Sequence, residues 1–129
     1  MNIEKISNDI LPKPIGPYST AIHIENLIFI SGQISNSIDS KNEINNIDFQ
    51  TRDILKNIKN ILKKYDANIA NIIKTTLFIT DLKNLKIINE IYEKFFLKYS
   101  TRFPTRSCIE ISKLPKNSLI EIEAIAYKK

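Results

Sequence analysis

Two amphipathic helical stripes, each followed by a strand-like run, leave this chain few ways to fold. Ile54, Leu55, Ile58, Ile61, Leu62 and Tyr65 recur at spacings of three and four, with Lys and Asn between them. Leu85, Ile88, Ile91, Tyr92, Phe95 and Phe96 repeat the pattern further on. Asn46 or Asp48 is placed to cap the first helix and Asp81 or Asn84 the second. Between them, residues 72–80 are rich in Ile, Thr, Leu and Phe and read as a buried strand. Upstream, residues 20–24 and 27–31 read as two strands joined by a tight turn at Glu25-Asn26. Downstream, Pro104 precedes a strand at 106–111, and a loop containing Pro115 leads to a last strand at 119–127. Residues 1–19, broken by Pro12, Pro14 and Pro17, are expected to be irregular, and the polar segment 34–46 to be a loop.

The order is hairpin, helix, strand, helix, strand, strand. Strand-helix-strand units of this kind predict an α+β fold, a mixed sheet with both helices on one face, in one domain spanning residues 1–129. Period-two alternation sets Ile120, Ile122, Ala124 and Ala126 against Glu121, Glu123, Ile125 and Tyr127 in the last strand. The same rule sets Ser107, Ile109 and Ile111 against Arg106, Cys108 and Glu110. The apolar sets are expected under the helices and the mixed sets on the open face. Two helices cover only one side of a sheet, so Ile125 and Tyr127 on the other side call for a second subunit as the cover.

The chain has 129 residues, 43% of them hydrophobic and 26% charged, as in a water-soluble globular protein with a proper core. No apolar run reaches the length of a membrane span, and the first residues lack the pattern of a signal peptide, so a cytoplasmic location is the expectation. One cysteine, Cys108, and one histidine, His23, cannot make an internal disulfide or a zinc site of the usual nitrogen and sulfur ligands. The net charge of +5 invites a nucleic-acid reading. The lysines, however, are spread at spacings that place them on outer helix faces. Ile, Asn and Lys are abundant and Gly and Arg scarce, the usage of an A+T-rich coding sequence.

Against that background the scarce residues carry information. There are three arginines against sixteen lysines, and Arg106 heads an apolar strand, where a rigid, always-charged guanidinium suits a carboxylate or phosphate. Glu121 stands in a strand that otherwise reads as core, and a carboxylate among apolar side chains suits acid-base work. A bridge between Arg106 and Glu121 or Glu123 is the competing structural use. Only Gly16 and Gly32 are glycines, each expected where a side chain would clash or where φ is positive. Cys108 has no histidine placed to activate it as a nucleophile.

The segments Pro104-Thr105-Arg106-Ser107-Cys108, Leu114-Pro115 and Ile120-Glu121-Ile122-Glu123-Ala124 closely resemble the signature of the RidA (YjgF) family. Ile15-Gly16-Pro17-Tyr18-Ser19, Ile30-Ser31-Gly32-Gln33-Ile34, Lys74-Thr75-Thr76-Leu77-Phe78 and Tyr92-Glu93-Lys94-Phe95-Phe96 look like family segments in the right order, so the resemblance runs over residues 14–127. It implies a chorismate-mutase-like fold of the Bacillus type, a homotrimer with clefts between subunits, and no cofactor or metal. It also implies hydrolysis of reactive 2-imino acids, such as 2-iminobutanoate and 2-iminopropanoate, to 2-keto acids and ammonia. These substrates are products of pyridoxal-phosphate enzymes, and their removal protects against damage. Arg106 would clamp the substrate carboxylate and Glu121 would hold and activate water. Tyr18, Ser31, Gly32, Asn89, Ser107 and Cys108 align with positions lining the cleft, though from the residues alone Asn89 reads more readily as an exposed helix residue. The alternatives are an RNA-binding or RNA-cleaving translation regulator and a holdase-like trimer in which Arg106 is dispensable. The Asn-rich loop at 36–46 is uninformative, and the pattern does not choose among imino acids.

Overall fold

The computed structural model describes residues 3–5, 14, 16–36 and 46–129. Six strands form one mixed sheet: β1 (Ile3–Lys5), β2 (Ala21–Ile24), β3 (Leu27–Gln33), β4 (Ile72–Ile79), β5 (Thr105–Glu110) and β6 (Ile120–Tyr127). Their spatial order is β1-β2-β3-β6-β4-β5. The last strand in sequence therefore lies inside the sheet, antiparallel to both β3 and β4, while β5 pairs parallel with β4 at the edge. The connection between β4 and β5 is helix α2 (Leu85–Leu97), the crossover that a parallel pair requires.

Helix α1 (Ile47–Lys63) starts where Asn46 accepts a hydrogen bond from the Phe49 amide, so Asn46 rather than Asp48 is its cap. Asp81 caps a short 3-10 turn, Leu82–Asn84, through the Lys83 amide, and α2 follows from that turn with no side-chain cap at Asn84. The apolar stripes of both helices meet Ile28, Ile30, Leu77, Ile79, Ile120, Ile122, Ala124 and Ala126 in one continuous core. Both helices thus cover the same face, and burial of this kind contributes about 1.5–3 kcal/mol per large aliphatic side chain.

Three expectations are corrected. Residues 1–19 are not wholly irregular, because β1 adds antiparallel to β2 with Ile3 opposite Ile24. The strand from 27 continues to Gln33 rather than ending at Ser31. The third concerns β5. Arg106 lies beside Thr75 and Cys108 beside Leu77, both buried under the helices, so Arg106, Cys108 and Glu110 share the helix-covered side. Ser107 and Ile109 lie on the open side, in register with Thr76 and Phe78. The edge strand reaches beyond the helices' full cover and five of its six residues are exposed, so apolar content did not report its orientation. The expected loop at 36–46 falls mostly outside the described residues, which resume at Asn46.

The open face carries Phe29, Ile109 and Tyr127, each more than two-fifths exposed. Ile22 and Ile125 stand in register with Phe29 across β2, β3 and β6. No helix of the described residues is long and apolar enough to cross a membrane.

Candidate functional site

The open face is where Glu121 points, from near the start of β6 opposite Phe78. Its surroundings are shaped by an irregularity in β3. Ile30 pairs with Ala124 but Gln33 pairs with Ile122, so β3 carries one more residue than β6 over this stretch. Such a bulge re-aims the local backbone. The Ser31 amide donates to the Thr20 carbonyl (2.9 Å) and its Oγ to the Ser19 carbonyl (2.6 Å), drawing the Gly16–Tyr18 bend alongside. Gly32 occupies the bulge with ordinary φ. A Cβ there would stand 2.7 Å from Cδ of Glu121 and 2.9 Å from its Oε2. The clash expectation therefore holds at Gly32, and what approaches its backbone within the chain is the Glu121 carboxyl. At Gly16 an added Cβ meets only ordinary contact with the Tyr18 ring at 3.5 Å.

A groove of about 580 Å³ opens here, lined by Gly16, Tyr18, Ser31, Gly32, Glu121 and Glu123, with Ile34, Phe78 and Pro115 completing it. Tyr18, Ser31 and Glu123 also border a second depression of about 440 Å³ that runs over Ile22, Phe29 and Ile125. Burial, and next the neighbouring Glu123, pushes the Glu121 carboxyl above the usual carboxylate range. The result is a half-buried acid able to give and take a proton nearer neutrality than an exposed glutamate.

Arg106 sits on the other face, at the free edge. It lines a groove of about 270 Å³ with Asn89, Tyr92, Glu93, Phe103 and Pro104. Its guanidinium carbon stands 5.0 Å over the centre of the Tyr92 ring. Among the described residues it forms no ion pair with Glu121 or Glu123, and the opposed strand faces explain why. Just upstream, Arg102 donates to the Ala70 carbonyl at 2.9 Å and Thr105 Oγ1 to the Ile73 carbonyl at 2.9 Å, pinning the chain that leads into β5.

The structure thus divides the sequence-predicted residues into two groups. Tyr18, Ser31, Gly32 and Glu121 gather on the open face. Arg106 and Asn89 meet at the edge, with Cys108 one strand step further under the helices. Ser107 faces the open side of β5 and lines neither groove. Burial pushes the Cys108 thiol up, against an opposing pull from the Arg106 charge, so the thiol stays protonated near neutrality. Sequence reasoning missed Tyr92 and Phe103 as neighbours of Arg106. Tyr92 was read as one more apolar stripe residue, although its hydroxyl, uncommon on a core-facing stripe, was the available signal. Among the described residues no group of three or more His, Cys, Asp or Glu is placed to hold a metal ion.

Comparison with known proteins decides the family, since a family model described as Endoribonuclease L-PSP matches residues 9–128. The chain belongs to the RidA (YjgF) family. A RutC family protein of Buchnera aphidicola subsp. Baizongia pistaciae is 58% identical over 126 residues, covering 98% of each chain. The Escherichia coli K12 protein named 2-iminobutanoate/2-iminopropanoate deaminase is 37% identical over 124 residues, covering 96% of this chain and 97% of its own. Among solved structures, E. coli TdcF with bound serine superimposes with a TM-score of 0.88 at 36% identity, covering 98% of this chain and 99% of that one. The RidA-family fold expected from the signature segments is the one observed, with the α+β mixed sheet and both helices on one side.

Proposed function

We propose that this RidA-family protein hydrolyses 2-imino acids to 2-keto acids and ammonia, in clefts that close only when copies of the chain assemble as a trimer. The observation that carries this reading is the back-to-back placement of its two charged groups. A protonatable carboxyl with a groove lies on the open face, and a guanidinium with its own groove lies on the opposite face of the sheet edge. Neither half suffices alone. The edge of one subunit laid against the open face of the next brings Arg106 to Glu121, and the exposed Phe29, Ile109 and Tyr127 supply the apolar contact for that joint. The relative named as a deaminase supports the choice of substrate.

In this reading Arg106 holds the substrate carboxylate through paired N–H donors. Water held by Glu121 gives it a proton and adds to C2 of the imine. Glu121 passes that proton to the imine nitrogen, completing the carbinolamine. The carbinolamine hydroxyl then gives its proton through Glu121 to the nitrogen, the C–N bond breaks as C=O forms, and ammonia leaves with the 2-keto acid. The raised proton affinity of Glu121 suits both transfers. Tyr18, Ser31 and Gly32 line the water side, Asn89 the carboxylate side, and Ser107 and Cys108 serve through their place in β5 rather than as nucleophiles.

The test follows 2-ketobutanoate release when the protein is coupled to a threonine dehydratase. Arg106→Ala and Glu121→Gln, each inactive alone, should regain part of the activity when co-assembled, because one cleft of a mixed trimer then holds both native groups. Mixed assemblies as inactive as their parents would overturn the shared cleft, and an Arg106→Ala variant as active as the parent would overturn the assignment of Arg106 as the carboxylate anchor. RNA cleavage is the competing reading, supported by the +5 charge and the description of the matching family model. It requires RNA binding that falls steeply with salt.

A further inference from the structure

We infer that Tyr92 is a positioning residue for Arg106, a platform that holds the guanidinium by its face and leaves its N–H fork free for a carboxylate. The inference rests on the reading of Arg106 as the carboxylate anchor. Arg106 and Thr75 are direct cross-strand neighbours on β5 and β4. Tyr92, reaching down from α2, joins them: its hydroxyl and Thr75 Oγ1 are 2.6 Å apart, and its ring lies under the guanidinium at 5.0 Å. The ring is itself held on several sides. It is 5% exposed and packs on Phe96 with centroids 4.5 Å apart, and Phe96 in turn meets Phe95 at 5.9 Å.

An exposed arginine at a strand edge has many rotamers, and ordering it on binding costs free energy. An acidic neighbour would reduce that cost but would occupy the same in-plane donors the substrate needs. A π face attracts the cation electrostatically and takes up none of them. Burial of the phenol, outweighing its bond to Thr75 and the nearby arginine charge, pushes its ionisation upward, so the ring stays neutral across the working pH range. The hydroxyl has a consistent use: anchored on Thr75, it fixes the ring against the very strand position beside Arg106.

The experiment measures 2-ketobutanoate affinity by titration calorimetry, with melting temperature alongside, for the assembled full-length chain. Tyr92→Phe keeps the ring and should bind within about threefold of the parent. Replacing that phenylalanine by its mono-, di- and trifluorinated analogues preserves shape while draining the face of negative potential. Affinity should fall stepwise, by about three- to tenfold at three fluorines, with melting temperature unchanged. Tyr92→Leu should lose about tenfold or more. A flat fluorine series overturns the platform, since a purely structural ring would not sense its own quadrupole. If Arg106→Ala binds 2-ketobutanoate as well as the parent, the anchor reading itself is wrong. Loss of binding in Arg106→Ala together with a flat fluorine series removes the platform alone.

Discussion

The Glu121 and Arg106 halves solve opposite problems with the same sheet. Glu121 lies on an interior strand, half-buried, hemmed by a bulge and by a glycine whose missing Cβ makes room for it. Its chemistry comes from desolvation, which favours the neutral acid. Arg106 lies on an edge strand, exposed, 5.0 Å over the centre of an aromatic ring and, among the described residues, in no ion pair. In the proposed reading its task is to stay charged and unpaired until a ligand arrives. A protein that tunes proton affinity needs burial, whereas one that recognises an anion by a cation needs access. Placing the two on opposite faces satisfies both, and in the proposed trimer it is assembly that would reunite them.

The sharpest way to break this contrast is to remove the cation. Arg106→Ala should lower kcat/KM about hundredfold or more, as expected for losing about 2–5 kcal/mol of charge-assisted contact, with melting temperature little changed because the side chain is exposed. Next comes the room around the acid. In Gly32→Ala the flexible carboxyl yields to the new Cβ, so activity should drop about tenfold while stability changes by less than about 1 kcal/mol, measured by kinetics and denaturant melts. A smaller effect tests the tuning. Glu123 raises the proton affinity of Glu121 after burial does, so removing its charge in Glu123→Gln makes Glu121 ionise more easily. The acid limb of the kcat/KM profile should move to lower pH without vanishing, because the desolvation remains. An unmoved limb would mean that the limb belongs to another group. The smallest effect is expected at Cys108→Ser, within about twofold of the parent, since a thiol held protonated supplies no nucleophile.

Legibility in the sequence tracked contrast between environments. In β6 each alternate residue meets a different medium, and Ile120, Ile122, Ala124 and Ala126 are all buried as the alternation required. The α1 stripe was equally readable because it is local, while for its cap the sequence offered Asn46 or Asp48 and the structure chose Asn46. In β5 both faces are largely exposed, so polarity carried no orientation and the expectation was inverted. The three residues of β1 were obscured by the prolines that follow them. The bulge at Ser31 and Gly32 left only one trace, a glycine in a chain that otherwise avoids glycine, and Tyr92 was hidden because a phenol counts as apolar in a helical stripe.

Local order, from the helical stripes to the strand alternation and the choice of a lone arginine and an embedded glutamate, was determined by the chain's own text, since each depends on neighbours a few positions away. The family signature is of the same kind. Only the tertiary structure decided that those two residues stand on opposite sides of one sheet. The side an edge-strand residue takes depends on its register with Thr75, thirty-one positions distant in the chain, and a one-residue slip in that register would exchange every side chain between the faces.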